Sequence, residues 1–246
     1  MGKTYFVSDV HMRPHFARRA SYFTAFLHSI QGADALYMLG DIFDYWVGVG
    51  QLRKALADPV FSAFRSLRHS GTRLYFLGGN RDFLVGSEIT RACGVEVLPE
   101  TAIIRLDGLK VHLSHGDQFC TKDTDYLIFR TFIRNPVLTT TFKYLTPLFF
   151  RMWLAKLLRR SSRAIVRTKT RTKPRKVRDI NPVTVARYFI RGFDVLICGH
   201  IHQPRHVKMS VASKVHHLYM LGHWDEGASY LTYEDGRFRF VPELTE

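Results

Sequence analysis

Five short motifs follow one another along the chain: Asp9-Val10-His11, Gly40-Asp41, Gly79-Asn80-Arg81-Asp82, His115-Gly116-Asp117 and Gly199-His200-Ile201-His202. Together they offer Asp9, His11, Asp41, Asn80, His115, His200 and His202 as ligands for divalent ions. Oxygen and neutral imidazole donors without a thiolate suit borderline-to-hard ions such as manganese, iron, nickel or zinc. Two such ions side by side are equipment for hydrolysis at phosphorus. Each motif alone says little, because Gly-Asp is common and a lone histidine at a strand end is usually just hydrogen-bonded. Their order and shared context carry the argument. His15, His112 and His206 lack that context and are expected to be surface or hydrogen-bonded histidines.

The context is a set of apolar runs. Thr4–Val7, Ala35–Leu39, Leu74–Leu77 and Val195–Cys198 are β-branched, aromatic or aliphatic throughout and read as buried strands. Lys110–Ser114 alternates more and predicts a strand with one less apolar face. Each candidate ligand then falls just past the carboxyl end of a strand, where open α/β sheets bind ligands. Glycines at 40, 79, 116 and 199 permit tight turns there. Phe23, Phe26, Leu27 and Ile30 recur at helical spacing and predict a core-facing helix.

These motifs resemble the calcineurin-like metallophosphoesterase family over essentially the whole chain. The resemblance implies an α/β fold, a sandwich of two β-sheets flanked by helices, with a dinuclear centre at one edge. By motif, Asp9, His11, Asp41 and His202 would hold one ion, and Asp41, Asn80, His115 and His200 the other. Asp41 would bridge them, because a carboxylate has an oxygen for each.

Arg81 narrows the choice. Many relatives have histidine at this place, where it can protonate an alkoxide leaving group. Arginine instead acts as a bidentate phosphate clamp. That fits a leaving group already good without protonation, such as a phosphate monoester with a second pKa of about 6, and so a pyrophosphate bond. Gly79–Leu84 and the Leu39–Trp46 segment are similar to motifs of the bacterial UDP-2,3-diacylglucosamine pyrophosphohydrolases. Cys120-Thr121, Asp123 and Tyr126 extend that resemblance, and Leu221–Trp224 resembles their C-terminal strand motif. It implies hydrolysis of UDP-2,3-diacylglucosamine to UMP and lipid X, a step of lipid A synthesis, usually with Mn²⁺. Asp41, Asn80, Arg81 and His200 would be catalytic; Asn80, Arg81, Asp123, Tyr126, Ser162, Lys169 and His200 would touch substrate. Gly48-Val49-Gly50 and Asp9-Val10-His11-Met12 depart from the pattern without touching a ligand, and the basic stretch Thr170–Arg178 blurs the matching of substrate lysines.

At 246 residues and 46% hydrophobic content the chain is long enough for one enzyme-sized domain, 1–246. The exception is an insertion at about 126–178, which holds 15 Lys and Arg and no acidic residue. The rest of the chain has 36 minus 15, or 21, basic residues against 21 acidic ones, so the net +15 resides in the insertion. Basic residues beside Leu148, Phe149, Trp153 and Leu157, followed by Arg159, Arg160 and Arg163, predict a helical cap that covers acyl chains and meets anionic lipid headgroups. Nucleic acid is the other use of such charge, disfavoured by the large apolar side chains. A nuclease or other phosphodiesterase of the same family, or a non-catalytic scaffold, are the alternatives.

Leu145–Leu158 is broken by Pro147, Arg151 and Lys156 and is too short to span a bilayer. The first strand begins at once, which predicts no signal peptide. Three cysteines without ligand spacing predict a reduced cytoplasmic protein, peripheral on the inner face of the inner membrane.

Overall fold

The fold is known from a computed structural model that describes residues 2–12, 17–48, 50–56, 58–121, 124–157 and 179–244. Two sheets face each other. The first runs β11-β10-β1-β2-β3-β4, built from β1 (Thr4–Val7), β2 (Ala35–Met38), β3 (Arg73–Phe76), β4 (Val95–Val97), β10 (Tyr230–Glu234) and β11 (Arg237–Val241). Its strands β1 to β4 are parallel, and β10 and β11 close one edge antiparallel. The second runs β5-β6-β7-β9-β8, from β5 (Thr101–Leu106), β6 (Leu109–Ser114), β7 (Val195–Cys198), β8 (Arg205–Val211) and β9 (Lys214–Met220). There β6, β7 and β9 are parallel.

Side-chain alternation explains the continuous apolar runs. In β1, Phe6 enters the core between the sheets with Val111, Ile197 and Tyr219, while Tyr5 and Val7 face the opposite core. That outer core holds Phe23, Phe26, Leu27 and Ile30, the stripe of α1 (Ala17–Ser29), together with residues of α3 (Pro59–His69) and α4 (Ser87–Cys93). In β7, Val195 and Ile197 face inward, and Leu196 and Cys198 pack against Val185 and Phe189 of α8 (Pro182–Ile190). A strand covered on both faces must be apolar on both. The short α2 (Gln51–Ala55) lies in the β2–β3 connection.

Strand β6 has the mixed character expected of it. Val111 and Leu113 join the intersheet core, whereas His112 faces the other way into a cage of Tyr188, Phe193 and Phe119 rings, at 4.7, 5.2 and 6.2 Å. His112 is therefore neither a surface nor a satisfied histidine: it is buried, and its Nδ1 has no hydrogen-bond partner. His206 is hydrogen-bonded to His217, Nε2 to Nδ1 at 2.9 Å, as expected. His15 lies outside the described residues.

Between β6 and β7 the described residues contain no strand. They form α5 (Thr124–Ile133), α6 (Pro136–Leu145) and α7, helical over 148–157. Asn135 breaks α5 from α6 by capping: its side chain accepts from the backbone N–H groups of Val137 and Leu138, with Pro136 in the first turn. Ile128, Phe132, Leu145, Phe149 and Trp153 are exposed, and Leu148 is half-buried. The arginines described here behave otherwise than a uniform lipid-facing block. Arg130 and Arg134 pair with Asp117 and Glu100, and Arg151, 5% exposed, donates to the carbonyl of Val47 at 2.7 Å. Asp123, Ser162, Lys169, the arginines at 159, 160 and 163, the 170–178 stretch and the side chain of Tyr126 lie outside the described residues. No described helix is long and apolar enough to cross a membrane. Cys93, Cys120 and Cys198 are buried, and none forms a disulfide with another described residue.

Candidate metal centre

The carboxyl ends of β1, β2, β3, β6 and β7 converge at one edge of the sandwich, and the strand pairing continues past them. Asp9 N donates to the Gly40 carbonyl at 3.1 Å, His11 N to the Asp41 carbonyl at 2.9 Å, and Gly199 N to the His115 carbonyl at 2.8 Å. Five of the seven candidate ligands, Asp9, His11, Asp41, His200 and His202, adopt left-handed backbone, with φ between 53° and 71°. A non-glycine residue in that region costs about 1–3 kcal/mol and persists only where its surroundings demand it. The loops also press together: a Cβ on Gly79 would lie 2.3 Å from Asp41 Oδ1, and one on Gly40 2.5 Å from Gly79 Cα.

These constraints gather the donor atoms. Asp9 Oδ2 is occupied by the Ser8 hydroxyl at 2.6 Å and the His200 N–H at 2.9 Å, which leaves Oδ1 facing His202 Nε2 at 3.3 Å and His11 Nε2 at 3.9 Å. Asp41 turns Oδ2 toward His11 Nδ1 and Oδ1 toward His115 Nε2, each at 3.9 Å. His115 Nδ1 hydrogen-bonds the Leu39 carbonyl at 2.9 Å, which fixes the tautomer with Nε2 as the lone-pair donor. Two groups have donor atoms all within 4.8 Å of one another: Asp9 with His11 and His202, and Asp9 with Asp41 and His115. Asn80 and His200 contact each other, Nδ2 to Nδ1 at 2.8 Å, beside His115, whose ring centroid is 5.2 Å from that of His200.

The family model for calcineurin-like phosphoesterases matches residues 2–204. The chain belongs to this family. Curated relatives called UDP-2,3-diacylglucosamine hydrolase match nearly end to end. The Actinobacillus succinogenes protein is 38% identical over 97% of this chain and 100% of its own. The Pseudomonas paraeruginosa protein is 37% identical over 96% and 97%, and that of Pseudomonas savastanoi pv. phaseolicola 34% over 97% of each.

A calcineurin-like phosphoesterase uses divalent metal, and the side chains here fit one. Asp9 Oδ1, His11 Nδ1 and His115 Nε2 are buried and have no hydrogen-bond partner, although buried polar atoms are nearly always paired. Cations held by the two groups of donors would satisfy all three atoms. Burial drives His11 well below the usual imidazole range and His200 down to about 4, so both rings are neutral donors at neutral pH. Burial would push Asp9 up, but the adjoining His202, with His115 and His11, holds it well below the usual carboxylate range. Burial and the neighbouring Asp9 push Asp41 the other way, against the opposing charges of His115 and Arg81.

Around the phosphoesterase centre, Arg81 reaches toward two carboxylates, its Nε 3.5 Å from Asp41 Oδ2 and its Nη1 3.4 Å from Asp44 Oδ1, with about a third of its side chain exposed. Some supporting residues were not assigned roles from sequence. Asp82 accepts three backbone N–H groups, from Asp41, Phe43 and Gly79, at 2.8 to 3.1 Å. His223 Nδ1 hydrogen-bonds the His202 carbonyl at 2.7 Å, and its Nε2 lies 3.3 Å from Asp225. Leu221–Trp224 is not strand, since β9 ends at Met220; it is the loop that brings His223 to the centre.

Proposed function

We propose that this phosphoesterase hydrolyses the pyrophosphate bond of UDP-2,3-diacylglucosamine to UMP and 2,3-diacylglucosamine 1-phosphate, with two Mn²⁺ ions. The observation that carries the substrate is the near full-length similarity to relatives of that name. Asp9, His11, Asp41 and His202 would hold one ion, and Asp41, Asn80, His115 and His200 the other. The opposed oxygens of Asp41, one toward His11 and one toward His115, support its bridging role. When bound, such a pair supplies a nucleophile at neutral pH and neutralises charge that develops at phosphorus.

The remaining roles fall to the chain's own groups. Arg81, at the rim with exposed guanidinium edges, clamps the pyrophosphate as a planar fork. Asn80 and His200 would exchange their mutual hydrogen bond for contacts to metal and phosphate. Asp123, Tyr126, Ser162 and Lys169 complete the substrate set by motif.

We read the chain as one domain with a cap at about 126–178 that meets the cytoplasmic face of the inner membrane. Exposed Ile128, Phe132, Leu145, Phe149 and Trp153 support this, since so many large apolar side chains left exposed within one insertion suit an interaction surface. Each methylene transferred from water contributes about 0.8 kcal/mol. The test compares kcat/KM for UDP-2,3-diacylglucosamine, a short-chain analogue and UDP-glucosamine, with single-stranded RNA as a further substrate. A steep fall in kcat/KM as the acyl chains are shortened and removed is expected. Equal values for acylated and deacylated substrates, or preferential RNA cleavage, would overturn the reading.

A further inference from the structure

The loops that carry His115 and Asn80 are both gripped by one helix of the insertion. Arg130 stands in the last turn of α5 and Arg134 is the residue just after its end, its N–H still donating to the Arg130 carbonyl at 3.0 Å, so the two side chains emerge four residues apart on the same side. Arg130 Nε donates to Asp117 Oδ2 at 2.5 Å, two residues after His115. Arg134 Nη2 donates to the Gly79 carbonyl at 2.9 Å, one residue before Asn80, and lies 3.6 Å from the same Asp117 oxygen. On the far side both guanidinium groups meet Glu100, at 2.9 and 2.7 Å. Asp117 is 1% exposed. The Arg134 guanidinium also sits over the Phe83 ring, 5.5 Å from its centroid.

We propose that Arg130 and Arg134 are positioning residues for the Asn80–His115 half of the metal centre, so that the insertion governs turnover as well as substrate capture. This rests on the metal-centre reading above. Gly79 is held at both ends: its N–H donates to Asp82 and its carbonyl accepts from Arg134. With no side chain of its own, and no room for one against Asp41, the loop is placed by those polar ties. Asp117 is a buried carboxyl group two residues after His115, and Arg130 and Arg134 are the cations set against it. Withdrawal of α5 would uncover that group and release the peptide before Asn80. A cap bolted in this way transmits its own position to the ligands.

The test uses the full-length protein as Arg134→Ala, Arg134→Lys and Arg130→Lys, the lysine variants serving where alanine impairs folding. Three quantities are read: Mn²⁺ affinity of the metal-free protein by titration, and kcat and KM on UDP-2,3-diacylglucosamine. Ala should weaken one Mn²⁺ site by about 10–100-fold, the usual effect of losing an outer hydrogen bond to a metal site, with kcat falling and KM nearly constant. Lys at 134 should recover part, since one ammonium can reach the Gly79 carbonyl or Glu100 but not both as a fork. Wild-type Mn²⁺ affinity and kcat in all folded variants, with loss confined to KM or melting temperature, would overturn the proposal alone. A wild-type protein that binds no Mn²⁺ would overturn the metal-centre reading with it.

Discussion

Asp82 holds the backbone of Asp41, its Oδ1 accepting the Asp41 N–H at 3.0 Å, while Asp41 Oδ1 in turn accepts the N–H of Arg81 at 2.9 Å. The two turns after β2 and β3 are thus tied reciprocally, each by the other's carboxylate. Asp82 is buried, and burial with the Asp41 charge pushes it up to about 7, opposed by three backbone donors. Asp82→Asn places an N–H₂ among N–H groups and must lose at least one bond. A loss of about 1–3 kcal/mol, the cost of an unsatisfied buried group, is expected in urea denaturation, along with weaker metal binding. Unchanged stability and metal affinity would show that the tie is dispensable.

Removing ligands should separate the bridge from its neighbours. Asp41→Ala is expected to abolish turnover at every Mn²⁺ concentration, because both proposed ion sites lose a ligand. His202→Ala, affecting one group only, should be partly rescued by excess Mn²⁺. Equal rescue of the two variants would contradict a bridging Asp41.

Arg81 tests the leaving-group argument. Arg81→Ala should lose about 2–4 kcal/mol of transition-state stabilisation, as for other preorganised electrostatic contacts, read as a fall in kcat/KM on UDP-2,3-diacylglucosamine. Arg81→Lys should restore only part, lacking the planar fork. A wild-type rate for the alanine variant would remove the clamp from the account.

His112 predicts an acid-sensitive fold. Burial lowers its pKa from 6.5 to about 4. Between those values the unfolded chain takes up a proton that the folded chain refuses, so stability falls as pH drops from about 6.5 to about 4. At 4% exposure the full effect is on the order of 3 kcal/mol at 1.36 kcal/mol per unit. Urea midpoints for His112→Leu should be flatter across that window than for the wild type. Parallel pH profiles would refute the assignment.

The strands covered on both faces were legible from sequence. The boundaries of β1 and β7 coincide with their apolar runs, and β2 and β3 end one residue before Leu39 and Leu77, which still donate their N–H groups to Val7 and Met38. Strands β5 and β11, and the second half of β8, alternate exposed positions with mostly half-buried ones, so no continuous apolar run marks them. That Asp9, His11, Asp41, His115 and His202 would come together was legible because such residue types are rare in combination; the left-handed backbone beneath most of them was not, since Asp and His do not announce positive φ as glycine does. Arg130, Arg134 and Arg151 show the limit of counting charge. Their acceptors, Asp117, Gly79 and Val47, come from distant parts of the chain, and only the fold reveals that these cations are turned inward.

Product analysis by mass spectrometry, with metal-free protein reconstituted with Mn²⁺ and incubated with UDP-2,3-diacylglucosamine, tests the central claim most directly. UMP and 2,3-diacylglucosamine 1-phosphate should accumulate in equal amounts and cease to form on chelation. Intact substrate in the presence of Mn²⁺ and other divalent ions, or cleavage at any bond other than the pyrophosphate, would contradict it.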